Sequence, residues 1–240
     1  MQGLKYISWG DNTGYAVAAK AYVLALKDAG VALTWTPMLH DKTRYEPYVS
    51  NVWPCPKLAA VCNKTIEYDT VVIHTVPEYY PEWIRQERRE GRRIFGCTVW
   101  ELEKLPDHWP QILNQLDGVI VPCSWNREVF RNSGVTVPIH VVAHLSQFEG
   151  MPAPSALDKT SLIKRLGGES ALRDRFVFYT VGFWSNRKAP FLAIQAYLQA
   201  FDAGDPVLMI VKTAAEDITC GHRHWRHAFR RRHPSPLKST

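Results

Sequence analysis

Short apolar runs alternate with helical patterns along the first part of the chain. Residues 4–9 (LKYISW) predict a strand, GDNTG predicts a turn, and apolar residues at helical spacing predict a helix over residues 15–29. Gly30 stands where a helix C-cap is expected, and residues 31–36 predict the next strand. A strand, loop, helix and strand in this order is typical of a parallel sheet covered by helices.

The alternation continues to about residue 143. Further strands are predicted at residues 70–76, 93–100, 118–122 and 139–143. Further helices are predicted at residues 82–90, 107–116 and 124–132. Charges in the first of these helices indicate a solvent-facing element, and Ser124 is the expected N-cap of the third. The expected fold class is α/β, with one complete Rossmann-like, parallel-sheet domain at residues 1–148.

The pattern changes after residue 148. Residues 149–158 contain one glycine and two prolines, which is typical of a linker. A second domain begins at residues 159–217, with a strand, a helix and a strand predicted at 176–181, 188–201 and 207–211. A full Rossmann fold has about six strands, so this second domain is expected to be incomplete. Residues 218–240 are expected to form a disordered basic tail.

The net charge of +6 belongs to that tail. Residues 220–240 hold six of the 29 Lys and Arg residues and no Asp or Glu, which leaves 23 basic against 23 acidic residues elsewhere. The body of the chain is therefore neutral, and nucleic-acid binding is expected only as an alternative function carried by the tail. His222, His224 and His227 lie there too, but without a spaced carboxylate or cysteine they favour a basic tail over a metal site.

Cysteine spacing, apolar runs and absent motifs limit the cellular compartments and the reaction classes that the sequence supports. The five cysteines form no CxxC pair, so a reducing cytoplasm is expected rather than a disulfide framework or structural zinc. No apolar run is long enough for a transmembrane helix, and the N-terminus does not resemble a secretory signal. P-loop, GxSxG, HExxH and Asp-x-Asp motifs are all absent from the sequence.

The GDNTGY segment follows the first predicted strand and opens the first helix. Backbone N–H groups and the helix dipole can hold a phosphate at such a place, and Gly10 and Gly14 let the backbone approach it. Asn12 and Gly14 are therefore candidate substrate-binding residues. The segment is not GxGxxG, which disfavours a nicotinamide dinucleotide, and a plain turn with an N-cap explains it equally well.

Two residues follow predicted strands at the edge where open α/β sheets collect active groups. His74 ends the run VVIH, where it can hold an acceptor hydroxyl or serve acid/base chemistry near neutral pH. A buried histidine satisfied by the backbone is the alternative. Glu101 follows the strand GCTVW, where a carboxylate can bind sugar hydroxyls or stabilise positive charge. An ordinary surface glutamate is the alternative there.

Two cations stand between the first strand and the helix of the second domain. Arg187 and Lys188 would repel the dipole at the helix N-terminus unless an anion is bound, and a diphosphate is such an anion. An exposed basic turn is the alternative interpretation.

The series of motifs resembles a known family. GDNTGYAVAAKAYVLALKDAG, IHTVPEYYPEW, CTVWELEKLPDHWPQILNQLDGVIVPCSWNREVFRNSGV, PIHVVAHL and GFWSNRKAPFLAIQAYLQAF resemble, in this order, segments of family-4 retaining glycosyltransferases of the GT-B fold. The resemblance covers about residues 1–215. It implies two Rossmann-like domains, an acceptor-binding domain followed by a domain that binds a nucleotide sugar.

The resemblance also implies a reaction. A sugar would pass from a nucleotide-sugar donor to a saccharide or lipid-linked acceptor with retention of configuration, without a metal or other cofactor. Gly14 would approach the donor phosphates, His74 would lie near the acceptor and the transferred sugar, and Lys188, helped by Arg187, would hold the diphosphate. The protein would be a cytoplasmic hexosyltransferase of polysaccharide assembly, with peripheral association at the inner face of the membrane left open.

The chain departs from the family at two places. Phe183 stands where the family often has arginine, and the paired glutamates that hold the donor further along the second domain do not occur. We therefore expect a chain that is truncated in its donor domain, with reduced or no activity, through a shortened or frame-shifted product or through a native insertion. A non-catalytic domain that binds carbohydrate or a partner chain is the main alternative function.

Overall fold

The computed structural model describes residues 2–145 and 174–213. The chain divides into two compact units, residues 1–149 and residues 150–240. The predicted linker at 149–158, the tail at 218–240 and its histidines lie outside the described residues. Each unit is presented by itself.

The first unit is built on a seven-stranded sheet in the order β3-β2-β1-β4-β5-β6-β7. Every neighbouring pair is parallel except β2 and β3, which are antiparallel. The strands are β1 (Leu4–Trp9), β2 (Leu33–His40), β3 (Tyr45–Pro47), β4 (Thr70–His74), β5 (Arg93–Cys97), β6 (Gly118–Val121) and β7 (Ile139–Val141).

Helices cover both faces of this sheet. They are α1 (Gly14–Asp28), α2 (Pro56–Ala59), α3 (Tyr80–Glu87), α4 (Trp109–Leu113) and α5 (Ser124–Asn132), with a 3-10 turn at Pro77–Tyr79 before α3. A mostly parallel sheet flanked by helices confirms the predicted α/β class and is compatible with a Rossmann-like domain.

The register between β1 and β4 determines which side chains share a face. Tyr6 pairs with Val72 and Ser8 pairs with His74, so these four residues point to one side of the sheet. Tyr6 and Val72 are buried in one apolar cluster with residues of α1 and α2. The intervening residues, Ile7 among them, pack on the other side against α3, α4 and α5. The sheet is therefore buried on both faces, as parallel sheets usually are.

The helix predicted at residues 82–90 is present, but the prediction that it faces solvent is wrong. The helix spans Tyr80–Glu87, and Tyr80, Trp83, Ile84 and Glu87 are all buried. These positions are three or four residues apart, so they form one stripe on a helix with 3.6 residues per turn. Six of the nine residues at 82–90 are charged, and this composition concealed the buried stripe.

Ser124 is not the N-cap of α5. The helix begins at Ser124 itself, and Cys123 before it is the N-cap, with no side-chain hydrogen bond. Two short elements were also not predicted, β3 and α2, both within the Pro- and Tyr-rich stretch 37–68. Each has only three or four residues, which is too short for a periodic pattern to be read.

The described part of the second unit is a strand, a helix and a strand. β8 (Phe176–Val181) and β9 (Val207–Lys212) pair in parallel, and α6 (Pro190–Ala200) lies between them along the chain. Several large apolar side chains are exposed in this unit: Phe176, Tyr179, Val181, Phe183, Leu192 and Leu198. The strand and helix predictions here are confirmed to within two residues.

A buried ion cluster joins the amino ends of three strands in the first unit. Glu87, at the end of α3, has a side chain only 6% exposed. Its Oε1 accepts a hydrogen bond from Lys5 Nζ of β1 at 2.5 Å, and its Oε2 accepts from Arg92 Nη1 and Tyr68 Oη, each at 3.0 Å. Lys5 also lies over the rings of Tyr68 and Trp83. Both carboxylate oxygens are therefore satisfied by cations that are themselves largely buried.

Replacing Glu87 by glutamine should destabilise the first unit by about 3 kcal/mol, because Lys5 and Arg92 would keep their charges without the carboxylate. Urea denaturation followed by tryptophan fluorescence measures the change. The matched control is Glu82→Gln, which breaks the surface pair with Arg44 (3.0 Å, side chains 42% and 51% exposed) and should change stability by about 1 kcal/mol or less. Equal effects of the two substitutions would contradict the role given to the buried cluster.

Candidate functional site

His74 lies at the carboxyl end of β4, surrounded by three tyrosine rings. The centroid of its imidazole is 6.0 Å from the ring of Tyr6, 5.8 Å from that of Tyr15 and 5.9 Å from that of Tyr22. His74 is only 2% exposed. We call these four residues the His74 cluster, and the predicted placement of His74 at this edge of the sheet agrees with the structure.

Two elements supply the tyrosines. Tyr6 comes from β1, next to β4 in the sheet, and faces the same side as His74 because of the register described above. Tyr15 and Tyr22 both come from α1 and are seven residues apart, so they lie two turns apart on one face of the helix. None of the three tyrosines was predicted from the sequence as a site residue. Two sequence features could have indicated them: Tyr6 occupies an alternate position of its strand, on the same face as His74, and Tyr15 and Tyr22 are seven residues apart on one helix.

The imidazole of His74 is held by a side chain and remains uncharged. Its Nδ1 forms a hydrogen bond with the hydroxyl of Tyr6, with 2.8 Å between the atoms. Burial, with a smaller contribution from nearby His144, lowers the pKa of His74 to about 3. The imidazole is thus neutral near pH 7, which disfavours the acid/base role considered from sequence. Its observed polar partner is Tyr6 rather than the backbone.

Tyr22 connects the cluster to the chain that leaves the first unit. Its hydroxyl donates a hydrogen bond shared between the backbone oxygens of Val142 (3.1 Å) and Ala143 (2.8 Å). The ring of His144 follows at 6.2 Å from the Tyr22 ring. The segment after β7 therefore lies against α1, beside the cluster.

Tyr15 fixes the loop that leads to Glu101. Its hydroxyl lies 2.9 Å from Thr98 Oγ1, donates to the backbone oxygen of Val99 at 3.1 Å and accepts from the Val99 N–H at 3.3 Å. Glu101 lies two residues further on and is exposed. The structure thus places Glu101 on a loop anchored to α1 at the carboxyl edge of the sheet, as its position in the sequence predicted.

The first βα loop has an internal framework of hydrogen bonds. Asp11 Oδ1 accepts from the N–H (2.9 Å) and the hydroxyl (2.7 Å) of Thr13, and Asp11 Oδ2 accepts from the Tyr45 hydroxyl. Burial opposes ionisation of Asp11, but the hydrogen bonds from Tyr45 and Thr13 outweigh it and leave its pKa below the ordinary value. Lys20 Nζ donates to the backbone oxygen of Asp11 at 2.6 Å. These contacts rigidify the loop without using Asn12.

Asn12 and Gly14 face outward from this loop. Asn12 is exposed, and a Cβ placed on Gly14 would meet no atom within 4 Å. Gly14 is the first residue of α1, after Thr13, whose side chain accepts from the Ala16 N–H. The helix start is therefore open to a ligand, while the Thr13 cap is also what a plain βα turn requires. Packing gives no reason for glycine at position 14.

An aromatic group stands beside the loop and was not predicted. The rings of Trp9 and Tyr45 are stacked, with centroids 4.3 Å apart and planes 10° apart, and Tyr79 meets Trp9 edge-on at 6.3 Å. Trp9 also lies 5.1 Å from Tyr15 of the His74 cluster. The stack holds β3 against the end of β1 and so supports the contact between Tyr45 and Asp11.

Arg187 and Lys188 lie in the second unit, in the turn between β8 and α6. The stem of Lys188 passes Gly182, since a Cβ on that glycine would lie 3.6 Å from Lys188 Cγ. The Lys188 N–H donates to the backbone oxygen of Ser185 at 3.1 Å, and Ala189 adopts a left-handed conformation with φ of 46°. Both cations are exposed just before the N-terminus of α6, which is where the sequence predicted them.

Two further features of residues 2–145 and 174–213 concern metal ions and membranes. No group of three or more His, Cys, Asp or Glu residues in these ranges is arranged to hold a metal ion. The helices described there are all too short or too polar to cross a bilayer.

The chain has a distant similarity to a viral protein. No protein-family model matches the chain. A stretch of 124 aligned residues is 26% identical to a protein of Sulfolobus islandicus rod-shaped virus 1 named Uncharacterized protein 356. The match covers 48% of this chain and 34% of the viral protein, so the chain spans about a third of that relative. The name of the viral protein states no activity, so a function for this chain can be inferred only from its own residues.

The free energy of unfolding should decrease as the pH is lowered below neutral, because His74 is buried and neutral. An unfolded chain takes up a proton at this histidine near pH 6.5, whereas the folded chain does so only near pH 3. Between these values the unfolded state binds more protons, so the contribution of His74 to stability decreases as pH falls, by up to about 1.4 kcal/mol per pH unit. Replacing His74 by glutamine should flatten the decrease. Urea denaturation from about pH 7 to about pH 4.5 measures it, and parallel curves for the two proteins would contradict the assignment.

Proposed function

We propose that this protein is a retaining glycosyltransferase of the GT-B type that takes sugar from a nucleotide-sugar donor. The observation that carries the proposal is the convergence of His74, the open helix start at Gly14 and the anchored loop before Glu101 at one edge of a mostly parallel sheet. Ligands of open α/β sheets bind at the carboxyl ends of the strands. The motif series quoted above supports the same family.

In this proposal the first unit binds the acceptor, and His74 positions it. A neutral, buried imidazole suits a hydrogen bond to a hydroxyl better than proton transfer near pH 7. Glu101 would accept hydrogen bonds from further sugar hydroxyls. Asn12, exposed in the first βα loop, would supply an amide at the same edge. The acceptor class is a saccharide or a lipid-linked saccharide, the latter with peripheral contact to a membrane.

The donor diphosphate would be held by cations and backbone N–H groups. Lys188 and Arg187 precede the N-terminus of α6, an eleven-residue helix whose dipole favours an anion. Within the first unit, Gly14 would leave the backbone N–H groups at the start of α1 open to a phosphate. Negative charge that develops on the leaving diphosphate would be stabilised by Lys188, Arg187 and the N-terminus of α6, so the proposed reaction uses no metal ion.

A second candidate function is non-catalytic binding of a carbohydrate. The burial of His74 and its low pKa favour it, because such a group supplies shape and one hydrogen bond but no proton near neutral pH. Partly buried aromatic rings beside the first βα loop are also suited to contact with a sugar.

A panel of nucleotide-sugar donors, incubated with the full chain and with simple saccharide or lipid-linked acceptors, tests the proposal. Turnover of at least one donor is expected, and His74→Ala should lower transfer by roughly tenfold, about 1.4 kcal/mol, while circular dichroism shows a retained fold. No turnover with any donor, together with measurable saccharide binding by calorimetry, would favour the second candidate. Full activity of His74→Ala would remove that residue from the site.

Gly14→Ala separates a ligand role from a structural one. A Cβ meets open space there and alanine favours a helix, so stability should be unchanged or rise by up to about 1 kcal/mol. Turnover of the donor should nevertheless fall by roughly tenfold, since the backbone approach to the phosphates is obstructed. The control Gly204→Ala also adds a Cβ into open space, in a turn of the second unit, and should leave turnover unchanged. Unchanged turnover in Gly14→Ala would show that the loop is a plain turn.

A further inference from the structure

The hydrogen bond between Tyr6 and His74 has two chemically distinct forms. Either the Tyr6 hydroxyl donates to Nδ1 and the imidazole proton resides on Nε2, or Nδ1 carries the proton and donates to the Tyr6 oxygen. The two forms present opposite chemistry at Nε2, a donor in the first and an acceptor in the second. Which form is present therefore decides what His74 offers to a ligand.

The hydroxyl proton of Tyr6 distinguishes the two forms. Tyr6 is only 3% exposed, and within the described part of the chain His74 Nδ1 is the one nitrogen or oxygen atom that forms a hydrogen bond with its hydroxyl. If Nδ1 carried a proton, the Tyr6 proton would have only the sulfur of neighbouring Cys97 as an acceptor, and sulfur accepts weakly. A buried donor without a good acceptor is unfavourable, so Tyr6 donates to Nδ1.

Both partners stay in the required ionisation state. Burial, followed by the influence of Cys97, raises the pKa of Tyr6 well above the ordinary value, so the phenol keeps its proton. The imidazole keeps a single proton because burial and His144 lower the pKa of His74. Neither group changes charge near neutral pH, and the direction of the hydrogen bond is stable there.

The other hydroxyls of the cluster are committed elsewhere. Tyr15 donates to the backbone oxygen of Val99, and Tyr22 donates to the backbone oxygens of Val142 and Ala143. Among the described residues, no hydrogen bond to His74 Nε2 is formed. The Nε2 proton is thus left for an atom that the described residues do not supply.

We propose that Tyr6 is a positioning residue that fixes His74 as the neutral tautomer protonated at Nε2. The site then presents one directed hydrogen-bond donor at the carboxyl edge of the sheet. It takes an oxygen that accepts a hydrogen bond, such as a sugar hydroxyl or ring oxygen, and disfavours an ammonium group, which has no lone pair to offer. This assignment of the ligand atom rests on the proposed sugar-binding function, whereas the tautomer follows from the protein alone.

The tautomer is measured by nitrogen-15 NMR of histidine-labelled full chain near pH 7, with the His74 signals identified as those lost in His74→Gln. Wild-type protein should show Nδ1 as the unprotonated nitrogen and Nε2 as the protonated one. The reverse pattern, or an even mixture of the two, would overturn the proposal without the need for any further variant.

Tyr6→Phe removes the hydroxyl and keeps the ring. Its His74 signals should move toward the values of the other tautomer or of a mixture, and donor turnover should fall by roughly tenfold. The matched control is Tyr80→Phe, which removes another fully buried hydroxyl, one that donates to the backbone oxygens of Thr75 and Cys97 on the opposite face of the sheet. The control should leave the His74 tautomer unchanged, so a general loosening of the fold is distinguished from loss of the hydrogen bond.

The outcomes separate the two proposals. If wild-type protein shows the expected tautomer and the His74 signals of Tyr6→Phe are the same as in wild type, the proposed role of Tyr6 is wrong. The expected tautomer in a protein that turns over no donor would leave the role of Tyr6 intact and contradict glycosyl transfer. An altered tautomer in Tyr6→Phe with unchanged turnover would show that His74 does not hold the substrate.

Discussion

The parallel register of β1 and β4 is the constraint on which the candidate site depends. Because Ser8 pairs with His74 and Tyr6 with Val72, the side chains of Tyr6 and His74 must point to the same face of the sheet, toward α1. A shift of one residue would turn His74 to the opposite face, away from Tyr15 and Tyr22. The hydrogen bond from Tyr6 then follows from backbone geometry, since neighbouring parallel strands bring these side chains within reach.

The two edges of the same sheet bury their ionisable groups in different charge states. At the amino edge, Glu87 is buried in the charged form because Lys5, Arg92 and Tyr68 satisfy both of its oxygens. At the carboxyl edge, His74 is buried in the neutral form because desolvation disfavours the imidazolium and none of the carboxylates in the described part of the chain pairs with it. Loss of one partner from the buried ion cluster is costly, whereas the neutral imidazole, hydrogen-bonded at Nδ1, leaves Nε2 for a ligand. This contrast separates the structural edge from the edge suited to binding.

Rigidity at the carboxyl edge comes from side chains that bridge elements distant in sequence. Tyr15 of α1 holds the loop after β5, Tyr45 of β3 holds Asp11 after β1, and Tyr22 holds the segment after β7. Each bridge is a phenol that partly buries its ring and donates its hydroxyl to an acceptor on another element. The loops that carry Asn12, Gly14 and Glu101 are therefore supported by aromatic side chains rather than by regular hydrogen bonds between strands.

Much of the fold was predictable from local pattern. The strands at Leu4–Trp9 and Phe176–Val181 match the predicted residues, and the helix after GDNTG begins within one residue of its predicted start, because alternating burial and helical periodicity leave a direct mark on the sequence. The same reasoning placed His74, Gly14 and Glu101 at the carboxyl edge, since the ends of parallel strands share it. By contrast, β3 was not predicted because it has only three residues. The buried stripe of α3 was not recognised because charged residues are frequent in the same segment.

Local periodicity was enough to predict the α/β class and the candidate residues that follow strands, because both depend on periods of two and 3.6 residues. The folded structure was needed to show that Tyr6, Tyr15 and Tyr22 surround His74, that Glu87 is buried with two cations, and that the imidazole is neutral. Such facts depend on contacts between residues as much as 82 positions apart. They also depend on the desolvation of a particular atom, which no local pattern of residues records.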